Sequence, residues 1–379
     1  MLTRPSPVVV PDSERVWIET VTALADGFAQ TVAADDVAAR LPIEHLEALA
    51  ASGLDAAFLP VEHGGSNLSY ATLGQVVRIL ASRHPAVAAV WLMHIGAAHA
   101  LVTMSAPPEA AFFAAELRAG RRFSNALSEP AGGNFFLASQ QDATAAGQDW
   151  TLMGRKLFVS GSEAAHHLFL NARVDGGPAF FGVSVDDTVS FPPIDETMGM
   201  RATRSRSILF QDTPLLRARL CGPPPADYAN LITVGFAFLS IGIAESAHDA
   251  LADYARGRRA PGSETTLAES SWVRSETAMV WAETRAARLM AEQVTWLADA
   301  GSPEAMPAAT ETKMLANEVA KRAAAIAVKV GGGSGCLVSS PIQRIFRDAQ
   351  ARVIMAYSVP FSAEVVGGWV LDAEVDSHA

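Results

Sequence analysis

Cysteine is nearly absent. Cys221 and Cys336 are the only two in 379 residues, and they stand alone, without metal-ligand spacing. That argues against a disulfide framework or a zinc ribbon and sets the expectation of a reducing, cytoplasmic setting. Charge is also sparse, at 18% of residues, and it is acidic on balance, with a formal net charge of -11. A nucleic-acid surface is therefore not expected, although a local Arg cluster could still hold an anionic ligand. No charged-then-apolar leader pattern is read in Met1 to Glu14. Long apolar runs are few. Pro85–Met104 is interrupted by His94 and His99, and Leu231–Ala244 is too short to span a bilayer. Both read as buried helices, so no membrane contact is expected. Repeats and low-complexity linkers are missing as well.

What is present is apolar bulk. Half of the residues are hydrophobic, which suits a globular chain long enough for two or three packed units. Up to about residue 121 the apolar period is helical, for example Val16, Ile18, Val21, Leu24 and Phe28. Between 122 and 225 short apolar runs alternate with Gly, Pro and Asp, as strands do. There Trp150-Thr151-Leu152-Met153 and Leu157-Phe158-Val159-Ser160 flank Gly154-Arg155-Lys156 and read as a hairpin. After Pro223-Pro224-Pro225 the helical period returns, with a break expected at Gly331-Gly332-Gly333-Ser334-Gly335. The expected plan is α+β: an N-terminal helical domain (1–121), a middle antiparallel β-barrel (122–225) and a C-terminal four-helix bundle (226–379).

Four local patterns occur along this plan. They are Leu59-Pro60-Val61-Glu62-His63-Gly64-Gly65, Ser128-Glu129-Pro130-Ala131-Gly132-Gly133, Met198-Gly199-Met200-Arg201, and Gly332-Gly333 followed by Arg347-Asp348-Ala349. Each is weak alone. In this order and spacing the chain resembles the acyl-CoA dehydrogenase superfamily along nearly its whole length. The resemblance implies a flavin between the β unit and the C-terminal bundle, usually in a tetramer. It places Asn125, Leu127 and Ser128 on one wall, with Ser128 at the pyrimidine end, and Phe158, Val159 and Ser160 on the other, with Ser160 near flavin N5. Arg258 falls where the family has a pyrophosphate-binding Arg from a neighbouring subunit. Gly332, Gly333 and Ser358 complete the implied cofactor set. Arg258 argues for FAD, while Lys329, standing where the family often has a Gln, leaves FMN open.

The same resemblance exposes a gap. A desaturating member needs a carboxylate that reaches the carbon beside the thioester. The two positions the family uses are Ala356 and Ile232 here, and neither side chain transfers protons. Glu245 and Glu364 lie near in sequence but are displaced from those places. The chain is similar instead to the flavin-dependent monooxygenases of this fold, at Phe158-Val159-Ser160-Gly161, at Asn125, and at Trp91-Leu92-Met93-His94. His94 and Ser160 are the expected catalytic residues, and Trp91, His94, Ala356 and Tyr357 the expected substrate pocket. A lone His in an apolar helix also fits a core residue, but the position of His94 favours the site. His99, five residues on, is too far around the helix to pair with it on a metal, and no metal is expected.

The expected function is an O2-using flavin oxygenase acting on an aromatic, polyketide-like or CoA-thioester substrate. Reduced flavin would come from a reductase partner or be regenerated in place, in a homotetramer or homodimer. The alternative is an acyl-CoA dehydrogenase or oxidase with a relocated base.

Overall fold

The structure is a computed structural model that describes residues 6–130, 137, 139–192, 196–259, 262–356 and 358–372. It begins with seven helices: α1 (Arg15–Phe28), α2 (Val32–Ala38), α3 (Ile43–Ala51), α4 (Leu54–Ala57), α5 (Tyr70–Arg83), α6 (Pro85–Met104) and α7 (Pro107–Arg118). Their ends follow local chemistry. The Ser69 hydroxyl accepts the Thr72 N–H at the start of α5, and Pro85 opens α6, where a missing N–H costs nothing.

Seven strands follow: β1 (Phe123–Ala126), β2 (Thr144–Ala146), β3 (Asp149–Val159), β4 (His167–Val174), β5 (Gly177–Ser184), β6 (Val189–Ser190) and β7 (Arg206–Leu215). They form two sheets, ordered β1-β4-β5 and β2-β3-β7-β6. This corrects the expected antiparallel barrel, because β1 runs parallel to β4 while the other pairs are antiparallel. A parallel pair needs a long crossover, and the excursion through β2 and β3 in the other sheet provides it. The expected hairpin at Gly154 is absent too. β3 is one 11-residue strand with irregularities between Leu152 and Gly154 and between Lys156 and Val159. Glycine here marks a bulge, where the strand bends without turning back.

The C-terminal part holds α8 (Leu231–Gly257), α9 (Ser271–Asp299), α10 (Ala305–Gly335), α11 (Pro341–Ile354) and α12 (Val359–Asp372). The glycine run does not end α10. It kinks it at Gly332, whose φ of 52° and ψ of -146° suit only glycine. The apolar run from Leu231 is longer than it looked. α6 and α8 are both long and apolar enough to cross a membrane, but 78% and 89% of their most apolar windows are buried inside the protein.

The two helical units share one core. Val76 and Leu80 of α5, Leu92 of α6, Phe238 and Leu239 of α8 and Ala320 of α10 belong to a single apolar cluster. The sheets keep their own core around Leu152, Leu170, Phe181, Ile208 and Phe210. The described candidate residues lie on α6, on or just after β1, on and just after β3, past the end of α8, on α10 and at the α11–α12 corner.

Candidate active site

The segment after β1 is held against β3. The Leu157 N–H donates to the Ser128 carbonyl at 2.8 Å, and the Ser124 hydroxyl donates to the Ser160 carbonyl at 3.1 Å. Beneath them, the fully buried Lys156 ammonium donates to Glu129 Oε1 at 2.5 Å and to Asn171 Oδ1 at 2.7 Å. A buried pair with its hydrogen bonds met is costly to break, so Glu129 fixes Ser128 in register with Leu157. Asn125 is anchored differently, its Nδ2 donating to the Met93 carbonyl of α6 at 2.7 Å. Leu127 is half-buried against the apolar cluster that includes Phe123 and Phe169. The structure thus brings together the residues from Asn125 to Ser128 and from Phe158 to Ser160. Gly132 and Gly133 lie outside the described residues.

The β3 end of this wall is strained. Phe158 has a φ of 54° at the second bulge, and its side chain is 62% exposed on a strand whose next residue, Val159, is buried. A bulky residue at positive φ is costly. Here it turns an aromatic ring away from the chain's own core. Ser160 is buried, with its hydroxyl 3.0 Å from that of Ser205, which is 2.9 Å from that of Thr203. Gly161 then makes the exit. Its φ is 67°, and a Cβ there would stand 2.7 Å from Val90 Cγ1 of α6. Thr203 and Ser205 follow directly on the Met198-Gly199-Met200-Arg201 pattern, but no local signal in the sequence singles out their hydroxyls.

His94 is corrected by its surroundings. Its ring is buried, its Nδ1 accepts the Phe123 N–H at 2.9 Å, and its Nε2–H donates to Asp55 Oδ2 at 3.0 Å. Both nitrogens are taken. Burial, with the Arg122 charge beside it, pushes the imidazole down to about 4, so the ring is neutral. Asp55 also accepts from Trp91 Nε1 at 2.8 Å and from Arg122 Nη1 at 3.0 Å. His94 and Trp91 therefore brace α4, α6 and β1, with both rings buried among the described residues. Asp55 and Arg122 were missed because their partners are distant in sequence.

A second buried group lies where α11 gives way to α12. Lys313 of α10 donates to the Met355 carbonyl at 3.2 Å and to the Ala356 carbonyl, and Arg352 donates to the Phe236 carbonyl at 3.0 Å. The Lys313 amine and the Arg352 guanidinium both lie over the Phe236 ring, at 5.3 and 4.4 Å from its centroid. Burial, with Arg352 nearby, pushes the Lys313 amine down to about 6. Ala356 is half-buried with a φ of 25°, and Ser358 is buried. Tyr357 lies outside the described residues. Ile232, the other position of interest, fills the notch left by Gly96, where a Cβ would meet Ile232 Cγ1 at 2.2 Å. Glu245 is tied to Arg78 at 2.7 Å and faces Arg288 at 3.7 Å, while Glu364 is exposed on α12.

Arg258 is exposed just past α8, and Gly332 and Gly333 are exposed on α10. Among the described residues no hydrogen bond joins them to the β3 wall. Lys329 pairs with Glu276 at 2.5 Å and lies over Trp272. Elsewhere Asp35, His45 and His84 converge with buried donor atoms within 4.8 Å of one another. Thr31 bridges Asp35 and His45 at 2.7 Å each, His84 Nε2 lies 3.2 Å from Asp35, and Arg40 reaches Asp35 at 2.5 Å. With these hydrogen bonds made and a guanidinium on the carboxylate, the cluster is satisfied without a cation.

Comparison with known proteins decides the family. Residues 11–110 match the acyl-CoA dehydrogenase N-terminal domain and residues 233–356 its C-terminal domain. The chain belongs to the acyl-CoA dehydrogenase family. It is a flavoprotein of that superfamily. A probable acyl-CoA dehydrogenase of Mycobacterium leprae, fadE25, is 27% identical over 90% of this chain and 91% of its own length. Butyryl-CoA dehydrogenase from Megasphaera elsdenii superposes with a TM-score of 0.88 at 22% identity, covering 98% of this chain and 100% of that one. FMN-bound TdsC from Paenibacillus sp., a dibenzothiophene monooxygenase, superposes at 0.85 and 22% identity, covering 94% and 97%. At such identities the superpositions speak for the fold.

The wall fits the flavin that acyl-CoA dehydrogenases hold. Phe158, an exposed aromatic on a strained bulge, stands two residues before the buried Ser160, and Ser128 adds a second hydroxyl on the adjoining segment. That combination of apolar surface and polar rim suits a planar heterocycle edged with hydrogen-bonding atoms.

Proposed function

We propose that this acyl-CoA dehydrogenase relative is an O2-using flavin oxygenase acting on an aromatic, polyketide-like or CoA-thioester compound. One observation carries the reading: neither place expected to hold a carboxylate base offers one. Ile232 is packed into the Gly96 notch. Ala356 is an alanine whose carbonyl is held by Lys313. The nearest acids in sequence are spoken for, Glu245 by two guanidiniums and Glu364 by its exposure.

In this reading Phe158, Val159 and Ser160, with Leu127, Ser128 and Ser358, hold the isoalloxazine. Arg258, Gly332 and Gly333 hold the distal half from a neighbouring copy, which favours FAD and a homotetramer or homodimer. A bound reduced flavin supplies two electrons to O2. The chain's own part is to exclude water with Val159, Leu127 and Phe158, and to present the Ser160 hydroxyl at the cofactor edge. A reductase would supply the electrons, in a cytoplasmic setting.

The alternative, an acyl-CoA dehydrogenase or oxidase with a relocated base, is favoured by the name of the 27% identical M. leprae relative. Labelled oxygen separates the two. Flavin-loaded protein, reduced and mixed with 18O2 and a panel of aromatic and thioester compounds, is expected to place label in an organic product. Loss of two hydrogens from an acyl-CoA with no label in any product would overturn the oxygenase reading.

A further inference from the structure

Three hydroxyls run inward from the candidate flavin wall in an unbroken line. Ser160 Oγ lies 3.0 Å from Ser205 Oγ, Ser205 Oγ lies 2.9 Å from Thr203 Oγ1, and Thr203 Oγ1 lies 2.8 Å from the Met200 carbonyl. Ser160 and Thr203 are buried and Ser205 is half-buried. The backbone holds them in place, since the Gly161 N–H donates to the Thr203 carbonyl at 2.9 Å and the Thr203 N–H to the Met200 carbonyl at 3.0 Å.

Each hydroxyl has one proton and two lone pairs, so the line has two consistent settings. In the first, Thr203 donates to Met200, Ser205 to Thr203 and Ser160 to Ser205. Ser160 then presents lone pairs outward. In the second, Thr203 donates to Ser205 and Ser205 to Ser160, and the Ser160 proton points outward. Only O–H rotations separate the two, with every heavy atom in place. The carbonyl at the inner end gains the Thr203 hydroxyl as a partner in one setting and loses it in the other, keeping the Thr203 N–H in both.

We propose that Ser205 and Thr203 are positioning residues that let Ser160 act as a hydrogen-bond donor to oxidised flavin and as an acceptor from reduced flavin. This rests on the reading above that the wall carries the flavin with Ser160 near N5. That nitrogen is an acceptor in the oxidised ring and gains a hydrogen on two-electron reduction. A fixed donor would favour the oxidised form; a reversible line serves both.

The test is binding of oxidised and of reduced flavin to the refolded, flavin-stripped protein, measured separately and anaerobically for the reduced form. Ser205→Ala leaves the Ser160 proton without an inner acceptor when Ser160 must accept from reduced flavin. An unmet buried donor costs about 1–3 kcal/mol. The ratio of the reduced to the oxidised dissociation constant should therefore rise at least fivefold, and Ser205→Thr should restore it. Thr203→Val should raise the ratio less, because Ser205 is half-exposed to water, and Thr203→Ser should leave it unchanged. If wild type binds neither form, or Ser160→Ala leaves both constants unchanged, the wall itself is misassigned and the relay falls with it. If Ser160→Ala weakens binding while Ser205→Ala shifts both constants equally or neither, the wall stands and the relay is overturned.

Discussion

Val90 and His94, four residues apart, share one face of α6. Val90 meets Gly161 at the candidate wall. One turn along, His94 meets the start of β1 and the Asp55 carboxylate. The helix face was legible in sequence; the depth was not, because it depends on where β1 begins and on a carboxylate 39 residues away. The His94 role is therefore mechanical, and stability reports it. Asp55→Ala would leave the Arg122 charge buried without its partner and should cost about 3–5 kcal/mol in urea unfolding. Acid should act through His94 itself. Its folded value of about 4 lies below the ordinary 6.5, so between those values the unfolded chain binds a proton that the folded chain does not. Stability should fall as pH drops from about 6.5 to about 4 and then level off for this group. His94→Gln should shallow that slope. His99 and His248, also pushed to about 4 by burial, keep part of it. A slope unchanged in His94→Gln would contradict the assignment.

At the scale of elements, the β3 bulge and the Gly161 exit shape the wall. The sequence shows Gly154 and Gly161 but not which is a turn, because a glycine reads alike in a hairpin, a bulge or an αL exit. Pairing with β7 settles it: β3 continues through Gly154 with a shift in register and does not turn back. Gly161 has no tolerance for a side chain, with a φ of 67° and Val90 Cγ1 at 2.7 Å from its missing Cβ. Gly161→Ala should destabilise by roughly 1–3 kcal/mol and weaken flavin binding with it. Adding Val90→Ala should recover part of the loss by clearing the contact, while the backbone cost remains. Full recovery in the double variant would show that only the contact matters, and no loss in the single variant would contradict the described exit. Kinks behave similarly: the glycine run in α10 read as a stop, yet Gly332 bends the helix without ending it.

For the whole molecule, the α, then β, then α order was visible because each texture has its own apolar period, 3.6 in the helical parts and short punctuated runs between them. The sharing of one core by both helical units was hidden. It depends on close approach at single small residues, such as Gly74 under Phe238 and Gly242 against Ala81. The parallel β1–β4 pair was hidden for a related reason, since pairing between distant strands leaves no local mark. Motif order pointed to the segments of the candidate wall, whereas the group of Lys313, Arg352 and Phe236 behind Ala356 needed three-dimensional proximity. That group sets the Arg352 guanidinium and a Lys313 amine engaged by the Met355 and Ala356 carbonyls behind a position expected to hold a carboxylate, so the central claim of the proposed function is that no carboxylate here takes a proton beside a thioester. Anaerobic mixing of the flavin-loaded protein with a panel of acyl-CoA compounds tests it most directly. The visible absorbance of the oxidised flavin should persist with every one; bleaching by any acyl-CoA in the absence of O2 would contradict the account.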